Sequence, residues 1–325
     1  MKLARRRFLG LAGSALALPA IGRAAAAETY PSRPVRFVVG YPPGGSTDLL
    51  ARILGRWLEK RLGQPVIIEN RPGASTNIAT QAVVNAPPDG HTLLLALASN
   101  AINASLFEKL SFNFLRDILP VAGFAELQLV LEVAPSVPAR NVAEFIALAK
   151  ANPRKINTGS FGTGTIGHLA IELLKVMAGI DLVHVPYRGG AAMVTDMIAG
   201  EIQAGIDAMP NSLPHIQRGS LRALGITNAN RSPALPDIPM IGETLPGYEV
   251  NSWSGIGVPK GTPADIIARL NREINAGLAD PEVLMRLADV GGVATIMSPS
   301  EFGALIGKDT ERWARVIKQA GIQPE

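Results

Sequence analysis

Two short loops hold the residues best placed to do chemistry. Tyr41–Asp48 reads YPPGGSTD and follows the β-branched run Pro34–Gly40. The stretch after it sets Leu49, Leu50, Ile53, Leu54, Trp57, Leu58 and Leu62 on one helical face and stops at Gly63. A strand–glycine–helix junction points free backbone N–H groups and the positive end of a helix dipole at one place, which is chemistry for an anion. Glycines let a ligand approach the main chain, while Pro42 and Pro43 stiffen the loop. Gly159–Gly167 (GSFGTGTIG) repeats the design, with hydroxyls at Ser160, Thr163 and Thr165 ahead of a second helix. Each loop alone also reads as an ordinary Gly-rich turn, the first capped by Ser46, Thr47 or Asp48. The pair, one in each expected lobe, fits two anion-binding walls of a cleft.

Other chemistries find little support. No Lys follows the last glycine of GSFGTGTIG as a phosphate loop requires, and its glycine spacing is not that of a dinucleotide fold. There is no G-x-S-x-G elbow for a serine nucleophile, since Phe161 follows Ser160, and no pair of acids stands out for acid–base work. His91, His168, His184 and His215 show no metal-ligand spacing. Cysteine is absent, which excludes disulfides and thiolate-held metals. The expectation is a binding protein with no catalytic residue, metal or cofactor. Arg188, in VPYRGG, is the side chain best suited to pair directly with a carboxylate; it reads equally as a surface arginine over a loop. His168, beside the second loop, either faces the cleft or packs.

The elements that must position these loops alternate as in layered α/β proteins. Strands are expected at Pro34–Gly40, Pro65–Glu69, Thr92–Ala98, Gln128–Ala134, Lys155–Gly159, Leu182–Pro186, Ile202–Asp207 and Leu221–Thr227, with Tyr248–Val258 extended. Helices are expected after Asp48 and at Ile78–Asn85, Val142–Ala151, Ile166–Ala178, Ala191–Ala199, Pro263–Ala279, Pro281–Val290 and Ser300–Ala320. Two αβ series followed by an extended segment and a helical tail imply that the chain returns to its first lobe. The crossings fall near Ala125–Val130 and Val250–Gly255, which predicts lobe 1 from 28–127 and 252–325 and lobe 2 from 128–251.

The first 27 residues read as an export signal: Arg5-Arg6-Arg7, an apolar run from Leu11 to Ile21, and alanines for cleavage after Ala26 or Ala27. The twin arginines resemble the signal for export of folded proteins, with Ala4 where Ser or Thr is usual. The apolar run is too short to span a bilayer. The full chain carries 31 basic and 27 acidic residues, net +4. Five of the basic residues and none of the acidic ones lie in the signal, so the remainder is net −1. Nucleic-acid binding loses its support, and any anion site must be built locally.

After the signal the chain resembles, end to end, the substrate-binding proteins of tripartite tricarboxylate transporters, the Bug family of periplasmic solute receptors. The resemblance lies in PVRFVVGYPPGGSTDLLAR at 34–52, ENRPGA at 69–74, PDGHTLL at 88–94, GTGTIGHLAIEL at 162–173 and VHVPYRGG at 183–190, then in LPHIQRGSLRALGIT at 213–227, RSPALPDIP at 231–239 and KGTP at 260–263. It implies a type II periplasmic-binding-protein fold, two α/β lobes joined by a double-crossover hinge. It further implies capture of a small mono- or dicarboxylate for two integral membrane transporter subunits, by a periplasmic protein expected to be a monomer. The same fold can instead serve a membrane signalling partner, and a hydrolase is the remaining enzymatic alternative. The residues that match the family's carboxylate-holding loops are Tyr41, Gly44, Gly45, Ser46 and Thr47 on one side and Ser160, Thr163, Gly164 and Thr165 on the other. Ser99 and Asn100 correspond to the floor, and Asp207 to a position facing the distal end of the ligand or capping the next turn. Two stretches depart from the family: Ser75-Thr76 stand where Gly-Gly is usual, and SFNFLRDILP at 111–120 is diverged.

Overall fold

The computed structural model describes residues 30–107 and 109–322; the expected export signal lies outside them. In chain order the elements are β1 (Val35–Val39), α1 (Ser46–Leu62), β2 (Val66–Asn70), a 3₁₀ turn (Ala74–Thr76), α2 (Asn77–Val84), β3 (Thr92–Leu97), α3 (Ala98–Leu106), α4 (Phe114–Asp117), β4 (Ile118–Leu127) and β5 (Leu129–Val133). There follow α5 (Val142–Ala151), β6 (Asn157–Ser160), α6 (Ile166–Ala178), β7 (Val183–Pro186), α7 (Gly190–Ala199), β8 (Ala204–Ala208), α8 (Met209–Gln217), β9 (Arg222–Ile226) and α9 (Ile241–Thr244). The chain ends with β10 (Ser252–Pro259), α10 (Ala264–Gly277), α11 (Pro281–Asp289), β11 (Gly292–Ala294) and α12 (Pro299–Ala320).

These strands form two sheets, ordered β11-β4-β10-β3-β1-β2 and β7-β6-β8-β5-β9. In the first, β1 pairs in parallel with β2 and β3, while β10 runs antiparallel between β3 and β4. In the second, β6 is parallel to β7 and β8, and β5 is antiparallel to β8 and β9. The chain therefore leaves the first sheet across Gln128 and returns between β9 and β10, making two crossovers. Fully buried strands such as β3 (TLLLAL) read as continuous apolar runs because helices cover both faces. The helical tail packs on the first sheet's elements: α12 lies on α3 and β4, with Trp313 and Phe302 completely buried. Burying such aromatic side chains supplies roughly 2–3 kcal/mol each.

Several elements were hidden from sequence reasoning. β3, expected over Thr92–Ala98, ends at Leu97 and passes directly into α3 at Ala98, so Ser99 lies in a first helical turn. The small polar composition of ASNAINASL masks that helix. Pro210 and Pro214 similarly mask α8. The ten-residue β4 contains Pro120 and Gly123, and its pairing with β10 shifts register twice, so strict alternation is lost.

Candidate functional site

A cavity of about 480 Å³ lies between the two sheets and receives residues from both. One wall is the loop Tyr41–Thr47 with the start of α1, together with Ala98 and Ser99 at the start of α3. The opposite wall is Arg188–Ala192 at the start of α7, with Asp207, Ala208 and Asn211 around the start of α8. Ser252, Trp253 and Ser254 from β10 line the cavity as well, as does Leu127.

Four helix N-termini thus converge on one space. The residues preceding them are Gly45, Leu97, Gly189 and Ala208, and none accepts a first-turn N–H through its side chain. Elsewhere Asn141, Thr165, Asp280 and Ser298 supply that acceptor for α5, α6, α11 and α12. Uncapped helix starts leave donors free and add positive potential, an anion-binding arrangement to which Arg188 adds a cation; at α8 the first donor is spent, Met209 N on Gln128 O (2.9 Å), and Pro210 has no N–H.

The first loop is held from below. Asp48, expected as a possible cap, braces the loop instead: its carboxylate accepts from Gly44 N (3.0 Å), Arg52 Nε (2.8 Å) and Asn70 Nδ2 (3.0 Å). Burial opposes ionisation of Asp48, but the bonds from Arg52, Gly44 and Asn70 outweigh it and hold the carboxyl below its ordinary range. Asn70 also donates to Tyr41 O (3.0 Å), and Tyr41 Oη lies 3.3 Å from Ser99 Oγ. Burial pushes the Tyr41 phenol up to about 12, only partly offset by Ser99, so it is a neutral hydroxyl at physiological pH. Gly44 adopts φ +83°, a conformation that favours glycine.

The second loop lies elsewhere. Of the segment 159–167, Phe161 and Ile166 line the cavity, whereas Ser160, Thr163, Gly164 and Thr165 do not. Their polar groups are spent within the loop and its surroundings. Ser160 Oγ meets His184 Nε2 at 2.7 Å, Thr165 Oγ1 donates to Gly162 O (2.6 Å), and Gly164 N donates to His168 Nδ1 (3.1 Å). The carbonyl of Thr163 accepts the Ser75 hydroxyl. His168 stacks on His184 with ring centroids 4.0 Å apart, and burial, with His184 next to it, lowers its pKa to about 3. His168 therefore packs rather than lines the cavity. Asn100 also points away from it, donating to Thr76 Oγ1 (3.0 Å) and Thr80 Oγ1 (2.8 Å) while accepting from Leu97 N (2.8 Å).

Tyr41, Gly44, Gly45, Ser46, Thr47, Ser99, Arg188 and Asp207 are brought together around the cavity. Gly189–Ala192, Asn211 and the β10 residues were missed by sequence reasoning. A signal existed for the first of these, because Gly189-Gly190 ahead of α7 repeats the Gly44-Gly45 design. Trp253 lines the cavity while donating to Asp309 Oδ2 (2.7 Å). Among the described residues no cluster of metal-ligating side chains occurs.

Two α/β lobes with a cavity walled by both sheets define a solute-binding protein of the two-lobed periplasmic type. The model of the tripartite tricarboxylate transporter family receptor matches residues 50–322, and the chain belongs to that family. It is 36% identical over 320 residues to protein BugT of Bordetella pertussis, covering 98% of each chain. Its structure is similar to Rpa4515 of R. palustris, solved with adipate (36% identity, TM-score 0.87, covering 91% of this chain and 100% of that one). It is also similar to MatC of Rhodopseudomonas palustris, solved with bound malate (31% identity, TM-score 0.83, covering 89% and 100%). The described residues contain no helix long and apolar enough to cross a membrane.

Proposed function

We propose that this protein is a periplasmic receptor that captures a small organic carboxylate and delivers it to two membrane subunits of a tripartite transporter. The observation that carries the reading is the convergence of uncapped helix starts from both sheets, α1 and α3 from one side and α7 from the other, on one cavity. Adipate and malate in the two similar structures support a carboxylate as the ligand class. In this reading lobe 1 comprises 28–127 with 252–325 and lobe 2 comprises 128–251. The crossovers at Gln128 and ahead of β10 act as the hinge, and ligand biases an open–closed equilibrium that the membrane subunits read.

The ligand carboxylate meets the N–H groups and hydroxyls of Gly45, Ser46 and Thr47, with Tyr41 and Ser99 beside it and Arg188 at the opposite wall. Gly44 serves the turn itself, since its N–H is given to Asp48. Ser160, Thr163, Gly164, Thr165 and Asn100 act indirectly, by shaping the walls. The protein is exported by its N-terminal signal, acts as a monomer and returns its ligand chemically unchanged. Thermal-shift screening of the signal-free protein against mono-, di- and tricarboxylates tests this. A rise in melting temperature with a carboxylate is the expected result; stabilisation by neutral solutes alone would sink the proposal.

A further inference from the structure

Asp207 closes the end of the cavity formed by lobe 2 and is completely buried. Its Oδ1 accepts from Ala208 N (2.7 Å) and Asn211 Nδ2 (3.1 Å), whereas Oδ2 has no partner among the described residues. The α7 start lies directly over it: a Cβ on Gly190 would stand 2.4 Å from both carboxylate oxygens. One strand away, Glu132 is equally buried, bonded through Oε1 to Ser212 Oγ (2.8 Å), with Oε2 likewise unpartnered. Val130 pairs with Asp207 and Glu132 with Gly205, so the two acids project from the same face of the sheet.

The other charged groups near β8 are occupied or distant. On α6 His168 stacks on His184, and Glu172 pairs with Lys175 at 2.9 Å. On α7 Asp196 accepts from Tyr187 Oη (2.9 Å). β6 has no titratable side chain, and α8 contributes His215 near its C-terminal end. Arg188 lines the cavity from the loop before α7 and is exposed. Two buried acids on one face without a buried cation cannot both ionise cheaply.

We propose that Asp207 binds the ligand in its neutral form, donating its Oδ2 proton to an oxygen of a second carboxylate, so that the receptor selects dicarboxylates and takes up one proton from solvent as they bind. This rests on the carboxylate-receptor reading above. The proton moves from water or buffer to Asp207 Oδ2 as the ligand enters; no covalent bond to the ligand forms. Burial already holds the Asp207 carboxyl up at about 7, and burial, then Asp207 itself, holds Glu132 well above the carboxylate range. An incoming anion raises Asp207 further, which is the linkage that couples binding to protonation.

The test is calorimetry on the signal-free protein with adipate, hexanoate and 6-aminohexanoate from pH 5.5 to 8.5, in buffers of differing ionisation enthalpy. Adipate is expected to bind at least tenfold more tightly than either competitor, with uptake of up to one proton and a Kd that rises about tenfold per pH unit above pH 7.5. Asp207→Asn, whose amide still donates, is expected to keep the pH 6 affinity within about fivefold and lose the pH dependence; Asp207→Ala is expected to lose affinity at every pH. Melting curves of both variants establish that they fold. A pH-independent adipate Kd, or hexanoate bound as well as adipate, overturns the inference while leaving the receptor reading intact. Preference for 6-aminohexanoate, with binding lost in Asp207→Asn, replaces it with an ionised Asp207 facing an ammonium group. Binding of none of the three, nor of any other carboxylate in the thermal screen, overturns both.

Discussion

The Ser75 hydroxyl donates to the carbonyl of Thr163, tying the turn after β2 of one sheet to the loop after β6 of the other. Asn103 Nδ2 donates to Ser75 O beside it, and a Cβ on Gly164 would meet Leu106 Cδ2 at 2.7 Å. The second glycine loop thus docks against the opposite lobe and leaves the cavity wall to the start of α7. Ala74, Ser75 and Thr76 all adopt positive φ (45°, 49° and 75°), the region where glycine is unstrained. That is the physical content of the departure from Gly-Gly at 75–76: the side chains cost backbone strain and return bonds across the loops, Ser75 to Thr163 and Thr76 Oγ1 to Asn100.

Ser75 separates strain from bonding. Ser75→Ala keeps the left-handed backbone and loses the bond, and is expected to cost about 1 kcal/mol in urea unfolding. Ser75→Gly also loses the bond but relieves the strain, and is expected to lie within about 1 kcal/mol of the native protein. Equal destabilisation by both would show that the positive φ carries no cost.

The two glycines of the first loop are expected to behave differently. A Cβ on Gly45 meets nothing closer than Pro42 O at 3.8 Å, and its φ is −82°. Gly45→Val is therefore expected to fold with a near-native melting temperature while lowering carboxylate affinity at least tenfold, because the added bulk stands where the ligand approaches. Gly44→Val is expected to lose affinity and also about 1–2 kcal/mol of stability, from its positive φ. Retained affinity in Gly45→Val would mean that this loop is only a turn.

Gly190 permits the close approach of α7 to Asp207 and Asn211. A Cβ there would lie 2.2 Å from Asn211 Nδ2 and 2.4 Å from the Asp207 oxygens. Gly190→Ala is expected to destabilise by about 1–3 kcal/mol through overpacking and to weaken ligand binding by moving the α7 donors. Chemical denaturation with an unchanged m-value, together with calorimetry, checks both effects.

Asp48 gives an acid-side signature. Its folded pKa is depressed, so its contribution is present above the unfolded carboxyl range and is lost as pH falls through the folded value. Asp48→Asn is expected to lose about 1–3 kcal/mol at pH 7, through the bonds to Arg52, Gly44 and Asn70, and the difference should shrink steadily toward acidic pH. A pH-independent difference would assign the loss to packing instead.

The buried strands, most helix starts and stops, the return of the chain and the first loop were legible because each follows from local rules. Apolar runs make strands, a 3.6-residue period makes helices, and a glycine pair before a helix leaves donors free. The family resemblance was legible for the same reason, since its motifs are contiguous. Tertiary structure decided which of the two glycine loops faces the cavity. Gly159–Gly167 has the composition of an anion site, yet its hydroxyls and N–H groups turn inward to Gly162, His168 and His184. Asn100 was likewise spent on Thr76 and Thr80, and Trp253 reached the cavity only because β10 inserts between β3 and β4. The pairing of Asp207 with Glu132 on one sheet face depends on the register of strands more than seventy residues apart. Composition says which groups can donate or accept; which of them remain free for a ligand is settled by the partners the fold has already assigned to the rest.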